Sequence, residues 1–254
     1  MLRGKTMTSI TQNNETSPQT YARIGGIFYL LIIVLGIFYE MIVRDSILVP
    51  GGSMATMASL KQNEFLWRLG IIAEFLSSII SIGLVLIMYR LTQLVNKDLA
   101  MLAAFFNLVG VTIQTVYIVQ LVEALFPIGA SSYLQAFTPE QLSAMISLST
   151  KSHVFGFGIA LLMFAPYFLL TGYLIYKSVY LPRFVGILYI ISGAGYLINS
   201  VILILAPQFS GMVFMVIVLP VFIGEISLSL SLLIKGVNEE EWNKYSSAVG
   251  QTNP

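Results

Sequence analysis

Six runs of apolar residues, separated by short polar stretches, recur along the chain. They cover about Tyr21 to Val43, Trp67 to Leu91, Leu99 to Phe126, Ser152 to Tyr176, Phe184 to Leu205 and Gly211 to Ile234. A bilayer core of about 30 Å takes roughly 20 apolar residues in a helix, so each run predicts one transmembrane helix. The expectation is an all-α, polytopic bundle of six spans over residues 21–236. Residues 1–20, rich in Thr, Ser and Asn, read as a flexible cytoplasmic tail. Residues 237–254, opened by Glu239-Glu240-Glu241, read as a second one. The first run is too long for a signal-peptide core. Glu40, Arg44 and Asp45 also separate it from the small residues Ser53-Met54-Ala55 that offer a cleavage site, so it reads as a retained helix.

Local signals refine the boundaries. Asn96 is spaced to cap the third helix, with Asp98 in its first turn, and Gly236 after Lys235 reads as a C-cap. In the second long loop Thr138-Pro139-Glu140-Gln141 combines an N-cap, a proline at the first helical position and a reciprocal Gln. Ser59-Leu60-Lys61-Gln62 offers the same spacing in the first. Each of these two loops is expected to carry a short interfacial helix leading into spans 2 and 4. Arg23-Ile24-Gly25-Gly26-Ile27-Phe28-Tyr29 opens span 1 and Arg183-Phe184-Val185-Gly186-Ile187-Leu188-Tyr189 opens span 5, a weak parallel repeat. Glu74 with Ser78, and Glu225 with Ser229, follow in the next helix of each copy. Chance likeness among apolar helices accounts for the match equally well.

Composition agrees with the pattern. Of 254 residues 57% are hydrophobic and 10% charged, with mean hydropathy +0.85, against about 25% charged in soluble domains. A formal net charge of +1 argues against nucleic acid as a partner. With no cysteine and a single histidine, neither a disulfide framework nor a thiolate or multi-histidine metal site is expected, and no cofactor motif is present. Lys and Arg are biased to one side: nine fall on the side of the termini and four, Arg44, Lys61, Arg68 and Lys151, on the other. Positive charge favours the cytoplasm, which predicts a cell-membrane protein with both termini cytoplasmic.

Within the spans, small and hydroxyl residues recur at helical spacing, as on Asn107, Gly110, Gln114 and Tyr117 or His153, Gly156 and Ala160. Such stripes ordinarily mark helix packing. Carboxylates are different, because a charged group near the bilayer centre costs about 2.5–3.5 kcal/mol on insertion scales. Glu74 and Glu225 are therefore the leading candidates for a ligand-binding role. Glu225 is expected near mid-depth and Glu74 nearer the outer side, with Glu40, Arg44, Arg68, Glu123 and His153 within two turns of it. Glu40 and Arg44 suit an ordinary ion pair at i,i+4. Arg68 is placed to snorkel to headgroups, Glu123 to meet solvent at a helix end, and His153 to serve either as an interfacial residue or in a pocket. The arrangement predicts a vestibule open to the outside and narrowing towards Glu225. Glu74, Glu225, His153, Tyr196, Asn199, Glu40 and Arg68 are its candidate ligand contacts.

Read along residues 20–237, the chain resembles a family of bacterial six-span membrane proteins, domain of unknown function 4386. The resemblance rests on Arg23-Ile24-Gly25-Gly26, Val49-Pro50-Gly51, Arg68-Leu69-Gly70 and Asn96-Lys97-Asp98-Leu99. It continues through His153-Val154-Phe155-Gly156-Phe157, Gly172-Tyr173-Leu174-Ile175-Tyr176, Tyr180-Leu181-Pro182-Arg183 and Phe222-Ile223-Gly224-Glu225. It implies a multi-pass membrane protein and carries no activity with it. Three functions stay open on the residues alone. One is binding or translocation of a small polar or amphiphilic ligand, with the lipid bilayer as the other partner. Another is an intramembrane lipid-modifying enzyme with His153 and a Glu as acid–base pair. The last is a regulatory or assembly partner with no ligand.

Overall fold

A computed structural model describes residues 17–252; most of the expected N-terminal tail, residues 1–16, lies outside that range. Six helices are long and apolar enough to cross a bilayer: Pro18–Ile47, Glu64–Thr92, Lys97–Ile128, Pro139–Lys177, Arg183–Leu205 and Pro207–Lys235. They are spans 1 to 6. No strand occurs among the described residues. Each span packs on its neighbours in the chain, and span 1 closes the ring against span 6. With six passes, the start of span 1 and the end of span 6 meet. Gln19 there accepts from the Val237 backbone at 2.8 Å and donates to the Lys235 carbonyl at 3.4 Å. The two ends of the bundle are called below the terminus end and the far end.

The surface is apolar where a soluble protein would be polar. Met215 and Leu205 are 78% and 77% exposed, and large aliphatic side chains line every span. Backbone groups satisfied inside helices and an apolar exterior are what hydrocarbon requires. Inside the ring, Tyr29 of span 1, Tyr167 and Phe168 of span 4 and Tyr189 of span 5 fill the middle. Phe168 stacks on Tyr189 at 4.2 Å, and Tyr29 and Tyr167 meet Tyr189 edge-on. A second apolar cluster closes the far end around Tyr39, Trp67, Leu121 and Ile146.

Several boundaries follow the local chemistry. Asn96 accepts from the Leu99 amide at 2.9 Å, and Thr138 and Gln141 form the reciprocal capping box. Gly236 ends the last span at φ +68°, a conformation open to glycine at little cost. Other expectations shift. In the first long loop a helix does form, over Ser53–Gln62, but it starts six residues before Ser59, which lies in its last turn. In the second long loop the capped helix does not stop before the span. It runs unbroken from Pro139 to Lys177, about 58 Å at 1.5 Å per residue. Residues 239–252, expected as a loose tail, form a helix whose Trp242 and Tyr245 pack on Tyr180. Tyr180 donates to the Leu91 carbonyl at 2.8 Å. Burial pushes its phenol pKa up, so it remains a donor.

Candidate functional site

Span 1 changes its winding before it ends. Residues Phe38–Arg44 form a π-helical turn, a feature frequent at functional sites because it re-aims side chains. The turn directs Tyr39 inward, where it is buried, and leaves Glu40 exposed, where it forms an ion pair with Arg44. The Tyr39 ring meets the Trp67 ring at 6.5 Å and the His153 ring edge-on at 5.7 Å. Trp67 is itself fixed by donation from its indole to the Leu121 carbonyl at 2.9 Å. One π-turn thus joins spans 1, 2 and 4 at the far end.

Glu74 and His153 are the buried carboxyl and imidazole held there. Glu74, 7% exposed, has Gln114 of span 3 as its side-chain donor, at a long 3.5 Å. A carboxylate offers about four acceptor positions, so most of its capacity is unused. His153, 4% exposed, leaves its Nε2 without a hydrogen-bond partner. Buried polar groups are nearly always paired, so each exception calls for an explanation. Among the described residues Asn107, Tyr167 and Ser231 also hold an unpaired buried atom; His153 is the one against the π-turn, and with the sparsely bonded Glu74 it marks the candidate site.

The other sequence-selected residues divide. Tyr196 of span 5 donates its hydroxyl to Glu225 of span 6. Asn199, one turn beyond Tyr196, is buried. This pair sits beside the Tyr29–Tyr189 contact, not beside Glu74. Ten residues separate Tyr29 from Tyr39 along span 1, so the Tyr29–Tyr189 contact lies about 15 Å from Tyr39 in depth. Arg68 points away from both and pairs with Glu64 at 2.6 Å. The small-residue stripes do what packing stripes do: Gly156 receives the Tyr117 ring, and Gly110 the Phe164 ring. Tyr39 and Gln114 belong to the site although neither stood among the candidate contacts. Gln114 was legible as a member of the Asn107–Gly110–Gln114–Tyr117 stripe of span 3, whereas the π-turn that aims Tyr39 has no sequence signature.

The six apolar spans and the lipid-compatible exterior define a multi-pass membrane protein. Residues 24–236 match the family described as domain of unknown function (DUF4386), and the chain belongs to it. An uncharacterized protein of Archaeoglobus fulgidus is 31% identical over 166 residues, 65% of this chain and 83% of the relative. No solved structure matches.

Proposed function

We propose that the far end, facing the outside of the cell membrane with both termini cytoplasmic, is a vestibule that binds a small polar or amphiphilic ligand through Glu74 and His153. The observation that carries this is the unfilled hydrogen-bonding capacity of these two buried side chains beside the π-turn of span 1. Gln114 and Tyr39 complete the wall, and Glu225 with Tyr196 forms a second polar station deeper in the bundle. Binding is the part of the reading that the packing supports best. Passage beyond Glu74 has to displace the Tyr29, Phe168 and Tyr189 rings that fill the middle of the bundle. An acid–base role for His153 requires a carboxylate within hydrogen-bond reach or one water away. Among the described residues no direct hydrogen bond joins them.

The test compares what leaves the membrane with the wild-type and Glu74→Gln proteins, by mass spectrometry of the denatured, purified chains. A polar molecule enriched with the wild type should fall about tenfold or more with Glu74→Gln, the scale of one lost charge-assisted hydrogen bond. Glu225→Gln, in the other group, should deplete it less. Equal recovery from wild type and Glu74→Gln rejects the site.

A further inference from the structure

The terminus end carries a different chemistry. The turn joining spans 4 and 5 and the segment leaving span 6 enclose a cleft of about 400 Å³, lined by residues 179–182 on one wall and 235–238 on the other. Its shape is fixed from three sides. Gln19 of span 1 holds Lys235 and Val237 by their backbones, the Asn238 amide donates to the Tyr180 carbonyl at 3.0 Å, and Tyr180 is anchored on Leu91.

The cations near this cleft are not neutralised by an ion pair among the described residues. Lys235 carries its ammonium over the Phe184 ring, 6.0 Å from the centre, which brings it to the first turn of span 5, where Arg183 precedes Phe184 in the chain. Among the described residues neither Lys235 nor Arg183 has an ion-pair partner. The acids that follow in the C-terminal helix begin at Glu239, and Glu240 and Glu241 are taken by Lys244. Directly towards the middle of the spans the flank turns apolar and open: Phe184, Ile187 and Ile234 are 53%, 47% and 67% exposed.

A preformed cleft with Lys235 on its wall, Arg183 at the adjoining start of span 5 and an exposed apolar flank matches one class of molecule. The head is anionic and compact, and the body is hydrocarbon. We propose that this cleft binds the phosphate of an anionic phospholipid headgroup, with Lys235 and Arg183 as its cationic contacts and the acyl chains against Phe184, Ile187 and Ile234. Basic pockets at the ends of membrane helices take such headgroups by charge neutralisation. The apolar flank selects the lipid over a free phosphate.

The test is native mass spectrometry of the full chain in detergent, offered equal amounts of phosphatidylglycerol and phosphatidylcholine. The wild type should retain phosphatidylglycerol in preference. Lys235→Gln combined with Arg183→Gln should weaken that binding about thirtyfold, the scale of two surface cationic contacts. Both positions are exposed; should the double variant fail to stay monodisperse, Lys235→Gln alone gives the reading, with a loss of about fivefold. Lys61→Gln with Lys151→Gln, at the far end, should bind like wild type. Millimolar inorganic phosphate should not displace the lipid. Equal retention of the two lipids, an unchanged preference in the Lys235 variants, an equal loss in the far-end control, or displacement by inorganic phosphate overturns the proposal.

Discussion

Gly186→Leu is expected to yield almost no folded protein. Spans 4 and 5 cross at direct backbone contact, and Gly186 is where they touch. A β-carbon there would lie 2.6 Å from the Gly172 carbonyl oxygen and 2.6 Å from the Tyr176 amide nitrogen. Across the crossing, a β-carbon on Gly172 would lie 2.8 Å from the Gly186 oxygen. These are backbone atoms, so no side chain can swing aside to relieve the clash. The helices have to separate, and with them the Phe168–Tyr189 stack that fills the middle. Overpacking a well-filled core costs roughly 1–3 kcal/mol for small additions. Leucine at a backbone contact stands beyond that range, against a total stability of about 5–15 kcal/mol. In membranes, close approach through small residues is itself a main source of helix association. The readout is the yield of monodisperse protein on size exclusion, with Gly186→Ala intermediate. A leucine variant with wild-type yield and thermal midpoint would refute the crossing.

Trp67→Ala should be the most damaging change at the far end. Trp67 is 1% exposed and its indole N–H is the partner of the Leu121 carbonyl. Truncation removes a ring that meets Tyr39 and strands that carbonyl. Comparable core truncations cost about 3–5 kcal/mol. Trp67→Phe keeps most of the ring but also strands the carbonyl, for about 1–3 kcal/mol. The damage should spread to the site, because Tyr39 and through it His153 lean on this indole. Thermal unfolding of the purified variants ranks them. Equal midpoints for the alanine and phenylalanine proteins would mean that the indole does not brace the far end.

How far the sequence reached depends on what kind of signal each feature leaves. Spans are legible because hydrocarbon length fixes the number of apolar residues, and caps because their side chains act within three positions. Joins between elements are not. Nothing local tells Thr138 whether its helix will stop or run on through span 4, since both outcomes use the same capping box. Ser59 had the spacing of a cap, but the turn at Pro50-Gly51-Gly52 releases the chain earlier, and the helix starts at Ser53.

The parallel repeat gains physical content in three dimensions. Tyr29 and Tyr189 hold equivalent positions in the two copies, and their hydroxyls meet at 3.1 Å in the middle of the bundle. Gly26 and Gly186 are likewise equivalent, and each lies at a backbone contact, with Leu233 and Gly172 respectively. The equivalence stops at the next helix. Ser78 bonds back to the Glu74 carbonyl, whereas Ser229 reaches across to the Gly26 carbonyl. For the site, the carboxylates identified themselves by being costly in lipid. Their partners did not, because contact between spans 1, 2, 3 and 4 is decided by a π-turn and by packing over long separations.

Water access to Glu74 from outside the cell is what the whole functional reading stands on. The chain has no cysteine, so single cysteines can be read without background. Gln114→Cys, which keeps the carboxyl and sits against it, should react in intact cells with a membrane-impermeant thiol reagent, as should Ser131→Cys in the far-end loop. Ser192→Cys, buried between spans 5 and 6 where its hydroxyl meets the Val221 carbonyl, should not. Labelling at position 114 at a rate between these two is the expected result. A cysteine at 114 as inert as that at 192, while 131 reacts, contradicts the vestibule.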